Sequence, residues 1–181
     1  MEDAIQTIIH AKKIQFIESF AKESNEIEGI FNDRNHIAHA MSLHSFLRKK
    51  QISTLLLKKF VHEVSGAKLR QKGDRVKVAN HIPPDGDEAQ AQLKKLLKQL
   101  NAKAKSGFVY DDCFYFHNEY ERIHPFMDGN GRSGRAIWLW IFMQMPFVKD
   151  GFWLQNQISF LHRYYYQSLA YWHVYNGKKN D

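Results

Sequence analysis

The spacing of the apolar residues constrains the fold more than any other feature, because they recur every three or four positions along most of the chain. Residues with this spacing share one face of an α-helix and can be buried together. The chain is therefore predicted to be mainly α-helical. The apolar stripes that support this prediction are Ile5, Ile8, Ile9, Phe16, Ile17 and Phe20; Ile37, Ala40, Met41, His44 and Leu47; Leu55, Leu56, Phe60 and Val64; Leu93, Leu96, Leu97 and Leu100; Cys113, Phe116, His117 and Tyr120; Ile137, Trp138, Ile141, Phe142 and Met145; and Phe160, Leu161, Tyr165 and Leu169.

Helix boundaries are indicated by residues that favour helix ends. Ser24 and Ser53 are predicted N-caps, since a serine hydroxyl can accept a hydrogen bond from a free N–H of the first turn. Gly29 and Pro146 are predicted helix stops. Glycine adopts the left-handed conformation that ends many helices, and proline cannot continue one.

One segment departs from the helical pattern. Between residues 74 and 84, Val76 and Val78 alternate with other residues, as is typical of a β-strand, and Pro83-Pro84 ends the pattern. We therefore predict a short β-hairpin within a helical domain. Taken alone, these residues fit a connecting turn equally well.

Composition excludes several classes of protein. A chain of 181 residues suits one domain, and the 44% of hydrophobic residues suffices for a core. With one cysteine, no apolar run long enough to span a membrane and no basic leader, a cytoplasmic protein is expected. The net charge is +7 at pH 7, but the basic runs are scattered and lack a nucleic-acid-binding signature, so nucleic acid is not an expected partner.

A glycine-containing loop between the fifth and sixth predicted helices is suited to phosphate. Gly129, Asn130 and Gly131 tolerate the positive backbone dihedrals that turn successive N–H groups toward one point. The helix that follows adds its positive dipole end, so the loop can hold a phosphate. Arg132 and Arg135 are three residues apart and share a helix face, and guanidinium groups bind phosphate oxygens bidentately.

The same loop contains a base and an acid. His124 is the one nearby side chain that can be a neutral base near pH 7, and Asp128 can supply a hard oxygen ligand to Mg²⁺. Each feature alone is ordinary, since a GNG sequence is usually a turn and arginines on a helix usually face solvent. Together, within His124–Arg135, they indicate an active site that handles phosphate.

The segment His124–Arg135 resembles the signature HPFx(D/E)GNGRxxR of the Fic family at every specified position. His117 and Ile123, which precede it, also agree with the family's pattern. The resemblance extends from Ser24 to about Leu169. It implies that the enzyme uses ATP and Mg²⁺ to modify a hydroxyl group of a target protein.

The resemblance also implies the fold and its divisions. We expect a single Fic domain over residues 1–181, a helical bundle with a short β-hairpin flap. Residues 1–30 would form an N-terminal helix and an inhibitory segment. Residues 31–175 would form the catalytic core, with the flap near residues 74–84. In relatives the flap docks an extended target segment by main-chain hydrogen bonds, which favours docking over a simple turn here.

Most Fic proteins transfer AMP from ATP to a serine, threonine or tyrosine hydroxyl and release pyrophosphate. By resemblance, His124 would deprotonate that hydroxyl, and Asp128 would hold Mg²⁺ between the α- and β-phosphates. Phe126 would point into the core. The two arginines would contact the β- and γ-phosphates. The residues implied in nucleotide binding are Gly129, Asn130, Gly131, Arg132, Gly134, Arg135, Tyr165 and Tyr166.

Tyr165 and Tyr166 belong to a YYxxL segment that borders the adenine pocket in relatives. Some relatives have an asparagine four residues after that leucine, where this chain has His173. The adenine contacts therefore rest on a weaker match than the phosphate contacts.

The sequence Ser24–Gly29 resembles the inhibitory pattern (S/T)xxxE(G/N) of many Fic proteins. Its implied regulatory residues are Ser24, Glu28 and Gly29. In relatives the glutamate pairs with the second arginine of the signature, here Arg135, and keeps the γ-phosphate from its productive position. By itself, Glu28 would be read as a solvated residue at a helix end. In some relatives this glutamate orients water for removal of AMP, which implies a second activity.

Three functions remain to be distinguished. The first is an autoinhibited protein adenylyltransferase. The second is transfer of another group, phosphate or phosphocholine, by the same fold, but Gly129 is often missing from phosphate-transferring relatives and so favours AMP. The third is a catalytically silent binding or regulatory module, against which the complete signature argues. His36, His39 and His44 lack an established metal-ligand spacing, and no zinc site is predicted.

Overall fold

The computed structural model describes residues 2–78 and 81–145. Within these residues no strand forms, and no helix is long and apolar enough to cross a membrane. The prediction of a mainly helical fold is confirmed. The helices of the described residues are α1 (Glu2–Glu26), α2 (Asp33–Leu47), α3 (Thr54–Ser65), α4 (Gly86–Ser106), α5 (Tyr110–Ile123) and α6 (Asn130–Phe142).

Helix α6 is the centre of the bundle. Every residue from Arg132 to Phe142 is buried, because α5 packs along one side and α1, α2 and α3 contact other sides. A helix that is apolar all round requires such an enclosed position. Trp140, almost fully buried, donates from its indole N–H to the carbonyl of Lys49 at 2.7 Å, which satisfies its polar atom. The predicted stripes of α4 and α5 are buried as well, so the stripes of all three helices are confirmed as core faces.

The predicted helix ends agree with the structure in two cases and differ in one. Ser53 caps α3 and accepts from Leu56 N at 3.1 Å, and Gly29 adopts a left-handed conformation with φ +74° in the turn after α1. Ser24, however, is not an N-cap. Helix α1 continues to Glu26, so Ser24 lies in its last turn and is fully buried. The predicted stop at Pro146 and the predicted helix near residues 160–169 lie outside the described residues.

The buried face of α2 also differs from the predicted one. Ile37 and Met41 are 62% and 70% exposed, whereas His36 and His39 are buried. The buried positions of α2 thus lie about one residue before the predicted ones. Two histidines have replaced apolar residues in the interior because their ring nitrogens find a hydrogen-bonding partner there, Asn25 of α1.

The predicted β-hairpin is not confirmed in the residues that can be described. Val78 and His81 form one isolated antiparallel bridge, with N–H to carbonyl distances of 3.0 and 2.9 Å. The His81 ring also fixes the segment to α5, since its Nε2 lies 2.8 Å from the carbonyl of Arg122. Val78 and His81 are therefore held next to each other beside the end of α5.

Candidate active site

The loop between α5 and α6 is held against the core by main-chain pairing. Arg70 N donates to Pro125 O at 2.9 Å, and Met127 N donates to Lys68 O at 3.0 Å. Between these bonds Phe126 is fully buried, as the resemblance implied. An anchored side chain with paired main chain on both sides gives the loop a fixed position, which a catalytic group requires.

Asn130 closes the loop from inside. Its Oδ1 accepts from Phe126 N at 2.9 Å, and its Nδ2 donates to Phe126 O at 2.8 Å. The side chain is buried and occupied by these two bonds. Asn130 could therefore contact a phosphate through its main-chain N–H while its side chain shapes the loop.

The N-terminus of α6 has the form of an anion site. Gly129 is the N-cap, with φ +76°, and no side chain caps this helix end. Asn130 and Gly131 tolerate positive dihedrals but do not adopt them, because both already belong to the first turn of α6 and Gly129 alone makes the reversal. A Cβ at position 129 would lie 2.5 Å from Ser65 Oγ, so the reversal also needs glycine for space. The helix dipole favours negative charge at this end.

His124 sits at the other side of the loop, as the C-cap of α5. It is the one non-glycine residue among those described with a positive φ, at φ 48° and ψ 62°. Its side chain is 16% exposed, so the imidazole is largely enclosed but reachable. A non-glycine residue in this conformation costs about 1–3 kcal/mol and persists only where neighbouring contacts fix it.

A buried carboxyl lies behind His124. Glu121 Oε2 is 3.8 Å from His124 Nδ1, and Glu121 Oε1 is 3.5 Å from His117 Nε2. Burial raises the pKa of Glu121 to about 7; Arg135 opposes this rise and Glu28 adds to it. Glu121 was not predicted from the sequence, although its spacing of four and three residues from the two histidines places all three on one side of a helix.

Gly134 lies where α6 crosses α5. A Cβ at this position would lie 2.3 Å from Glu121 Oε1 and 3.2 Å from His117 Nε2. The structure thus places Gly134 against α5, where its lack of a side chain admits the buried carboxyl.

Asp128 and Arg132 face each other at the start of α6. Asp128 Oδ1 accepts from Gly129 N at 2.6 Å, and Asp128 Oδ2 is 3.4 Å from Arg132 Nη2. The Asp128 side chain is 66% exposed, whereas that of Arg132 is 5% exposed. Arg132 Nη1 also donates to the carbonyl of Val64 at the end of α3. Its Nε, although buried, has no hydrogen-bonding partner among the described residues.

Arg135 is turned toward the end of α1. Its Nη2 donates to Glu28 Oε1 at 2.6 Å and to Ser24 O at 2.9 Å, and its Nε donates to Ser24 Oγ at 2.8 Å. The structure therefore brings together the three residues that the sequence joined by resemblance. Glu28 Oε1 also lies directly over Gly131, since a Cβ there would be 2.6 Å from this oxygen. The carboxylate thus stands beside the N-terminus of α6.

A polar cluster supports the end of α1. Asn25 Nδ2 lies 3.3 Å from His36 Nδ1 and 3.1 Å from the carbonyl of Asn35, and Asn25 Oδ1 lies 2.9 Å from His39 Nδ1. Burial, together with the nearby positive charges of Arg135 and Arg132, lowers the pKa of His39 to about 3. His39 is therefore neutral and donates its Nδ1–H to the amide oxygen.

Two predicted nucleotide-binding residues, Tyr165 and Tyr166, lie outside the described residues. Among the residues the structure does describe, no group of three or more His, Cys, Asp or Glu side chains could hold a metal ion. Any Mg²⁺ at this site would accordingly need ligands other than these side chains, such as oxygens of a bound phosphate.

The fold resembles those of solved Fic-domain proteins. A Fic-domain-containing signalling protein from Bacteroides thetaiotaomicron superposes with a TM-score of 0.62 and 18% identity, over 84% of this chain and 73% of that one. IbpAFic2, in a structure where it is covalently tethered to Cdc42, gives a TM-score of 0.59 and 17% identity, over 72% of this chain and 46% of that one.

The chain belongs to the Fic/DOC family, whose sequence profile matches residues 37–142, more than half of its length. Curated relatives are called protein adenylyltransferase Fic. That of Drosophila persimilis is 30% identical over 78 residues, 42% of this chain and 15% of the relative. That of Aedes aegypti is 28% identical over 121 residues, 64% of this chain and 23% of the relative. The chain thus spans less than a quarter of either relative.

Proposed function

We propose that this chain is an autoinhibited protein adenylyltransferase, which moves AMP from Mg-ATP to a serine, threonine or tyrosine hydroxyl of a target protein. The observation that carries the proposal is the arrangement of one short stretch, His124–Arg135. A histidine, a carboxylate, an uncapped helix N-terminus and two buried arginines meet there. The names of the curated relatives support the same reaction.

The nucleotide phosphates would bind at the N-terminus of α6. The main-chain N–H groups after Gly129 and the helix dipole would hold one phosphate. Arg132 and Arg135 are on the same helix and are nearly fully buried, so their charges are little screened by water. They would therefore bind the β- and γ-phosphates strongly.

His124 would act as the general base. Its imidazole takes the proton of the target hydroxyl while the hydroxyl oxygen forms a bond to the α-phosphorus of ATP. The bond between that phosphorus and the oxygen bridging to the β-phosphate breaks, and pyrophosphate leaves with both electrons. The base contributes about 10²–10⁴-fold to such a step. The enclosed loop fixes the geometry, and the arginines stabilise charge on the leaving group.

Asp128 fits a magnesium ligand. Its carboxylate is exposed beside the same helix end. Its contact with Arg132, at 3.4 Å, is weak enough for a metal cation to replace it. Mg²⁺ ordinarily takes one or two carboxylates with phosphate oxygens and water. When bound, the ion would neutralise phosphate charge at the α- and β-phosphates.

The segment from residue 74 to residue 84 would dock the target as a flap. Its Val78–His81 bridge and the contact of His81 with α5 support a segment that turns back beside His124. A short ribbon with a free edge can pair with an extended peptide through main-chain hydrogen bonds. Recognition would then depend little on the target's side chains.

Glu28 would inhibit the reaction by holding Arg135. Three hydrogen bonds direct this guanidinium toward α1, and the Glu28 carboxylate stands over Gly131 beside the proposed phosphate site. A hydrogen bond to a charged group contributes about 1.5–3 kcal/mol. At about 1.36 kcal/mol per decade, that energy supports about 10–100-fold repression.

The decisive experiment compares the wild-type protein with Glu28→Ala, each incubated with ATP labelled at either the α- or the γ-phosphate. We expect protein labelling from the α position only, and about 10–100-fold more of it in Glu28→Ala. Label from the γ position would show phosphate transfer. If a folded Glu28→Ala protein acquires label from neither position, the proposal that the chain is an adenylyltransferase is refuted.

Glu26→Ala is the matched control. Glu26 is two residues earlier and pairs at 3.8 Å with Lys22 on the surface, so its loss should leave labelling unchanged. Adding Arg135→Ala to Glu28→Ala should remove the gain, because the arginine released by the first change would be absent. If AMP removal also needs Glu28, release of AMP from labelled protein should slow in the single variant.

A further inference from the structure

Arg70 is a buried cation that pairs with no carboxylate of the described residues. It is 1% exposed, and among the described residues no Asp or Glu forms a salt bridge with it. Burial lowers the pKa of Arg70, and the more distant Asp85 and Asp74 oppose this shift. A buried charge without such a partner must be stabilised by dipoles, and here these are main-chain carbonyls.

The carbonyls that accept from Arg70 belong to two separate parts of the molecule. Nε donates to His124 O at 2.7 Å and Nη2 to Ile123 O at 3.0 Å, at the negative end of α5. Nη1 donates to Pro84 O at 2.8 Å, with a longer contact to Asp74 O at 3.4 Å. One guanidinium therefore joins the main chain of the proposed base to both ends of the segment that would dock the target.

This arrangement requires arginine. The three nitrogens of a guanidinium lie in one plane and point in different directions, so they can reach three carbonyls on two elements at once. A lysine ammonium is a single point at the end of a flexible chain. It could keep the charge and some of the contacts, but it could not fix both elements in one orientation.

His124 needs such support. Its left-handed conformation is costly for a non-glycine residue, and its carbonyl accepts the shortest hydrogen bond that the Arg70 guanidinium donates. The neighbouring bond from Arg70 N to Pro125 O fixes the next residue of the loop. Contacts on both sides of the His124 peptide thus come from Arg70.

We propose that Arg70 is a positioning residue that fixes the two ends of the flap, Asp74 and Pro84, relative to His124. A target docked on the flap is thereby placed with its hydroxyl at the base. This inference rests on the proposed transfer reaction. It predicts that replacing Arg70 slows the chemical step and loosens the two joined segments, while nucleotide binding and the rest of the fold stay intact.

The test uses Arg70→Lys in the Glu28→Ala protein. We expect labelling from α-labelled ATP to fall by about a hundredfold, the loss typical of a misplacement of about 1 Å. Calorimetric affinity for Mg-ATP should stay within about twofold, because the Arg70 side chain contacts the flap and the end of α5 and not the proposed phosphate site. A loss of uniform binding would instead raise KM without lowering kcat. Hydrogen exchange should quicken at the flap and at residues 123–127 together, and stay unchanged in α2 and α6.

Arg122→Lys is the matched control. This arginine is at the same end of α5, is 40% exposed and pairs with Glu119, so its replacement should change neither labelling nor exchange at the flap. The proposal is overturned if the Arg70→Lys protein is labelled at the rate of its parent. It is also overturned if hydrogen exchange quickens throughout the bundle and nucleotide binding is lost, because Arg70 would then have a purely structural role. Should the Glu28→Ala parent itself not label, the proposed function fails. If hydrogen exchange in Arg70→Lys then quickened at the flap or at residues 123–127 but not at both, the proposed connection through Arg70 would be overturned separately.

Discussion

Glu121 provides a prediction that is independent of any substrate. Its carboxyl is buried between His117 and His124, with Arg135 across from it and Glu28 beyond. Replacement by glutamine keeps the size and the polar atoms of the side chain but removes the charge. Folded and unfolded states then no longer differ in how strongly this side chain binds a proton.

The magnitude follows from the pKa of Glu121, which is about 7 in the folded protein against 4.5 for the ordinary carboxyl. At about 1.36 kcal/mol per unit, this shift corresponds to about 3 kcal/mol. The folded state binds the proton more tightly, so the stability contribution is complete below pH 4.5 and is lost as the pH rises through 7. Wild-type protein should therefore lose about 3 kcal/mol of unfolding free energy from this group between those limits.

The assay is urea denaturation of wild type and Glu121→Gln at several pH values from 5 to 8, comparing differences between the two proteins so that other titrating groups cancel. The variant should match the wild type near pH 5 and be more stable at pH 8 by up to about 3 kcal/mol. Glu119→Gln, on the same helix but more exposed, should show no such divergence. If Glu121→Gln is the less stable protein at pH 8, the carboxylate is ionised and paired, and the reasoning is wrong.

Three further substitutions test the site. His124→Ala should reduce labelling from α-labelled ATP by about 10²–10⁴-fold in the Glu28→Ala protein, while calorimetric ATP affinity stays near that of the parent. Asp128→Ala should lower labelling and flatten its dependence on Mg²⁺ concentration; an unchanged Mg²⁺ titration would remove Asp128 from the metal site. Gly134→Ala should destabilise the fold by about 1–3 kcal/mol in urea denaturation, because the new methyl group would lie 2.3 Å from Glu121 Oε1.

Periodicity predicted the helices best where packing encloses them. The stripe of α4 from Leu93 to Leu100 is buried as expected, and so are Phe116 of α5 and the apolar residues of α6. In these helices the apolar residues alone determine the inward face. The first half of α1 behaves differently: Ile8 continues the stripe of the same helix but is 56% exposed, because no described helix covers it. Periodicity identifies a helix but does not tell how much of its length finds a neighbour.

The signature in the sequence identified the candidate loop, but it did not indicate the residues that support the loop. Recognising His124–Arg135 required only a linear pattern. The contacts of Arg70 depend on long-range geometry, because Arg70 lies 54 residues before His124. A basic residue in an ordinary sequence context carries no sign that it will be buried. Only the folded chain shows which carbonyls surround it.

One buried cluster accounts for two of the incorrect predictions. Asn25 is polar, and so are the histidines of α2 that it contacts, so a pattern of apolar residues assigns all three to the surface. Because His36 and His39 satisfy the Asn25 amide, they turn inward, and Ile37 is carried to the outside. The same contacts hold the last turn of α1 against α2, so the helix continues past Ser24 instead of starting there. That continuation leaves the Ser24 hydroxyl and carbonyl free to accept from Arg135, which a serine acting as an N-cap could not do with its hydroxyl.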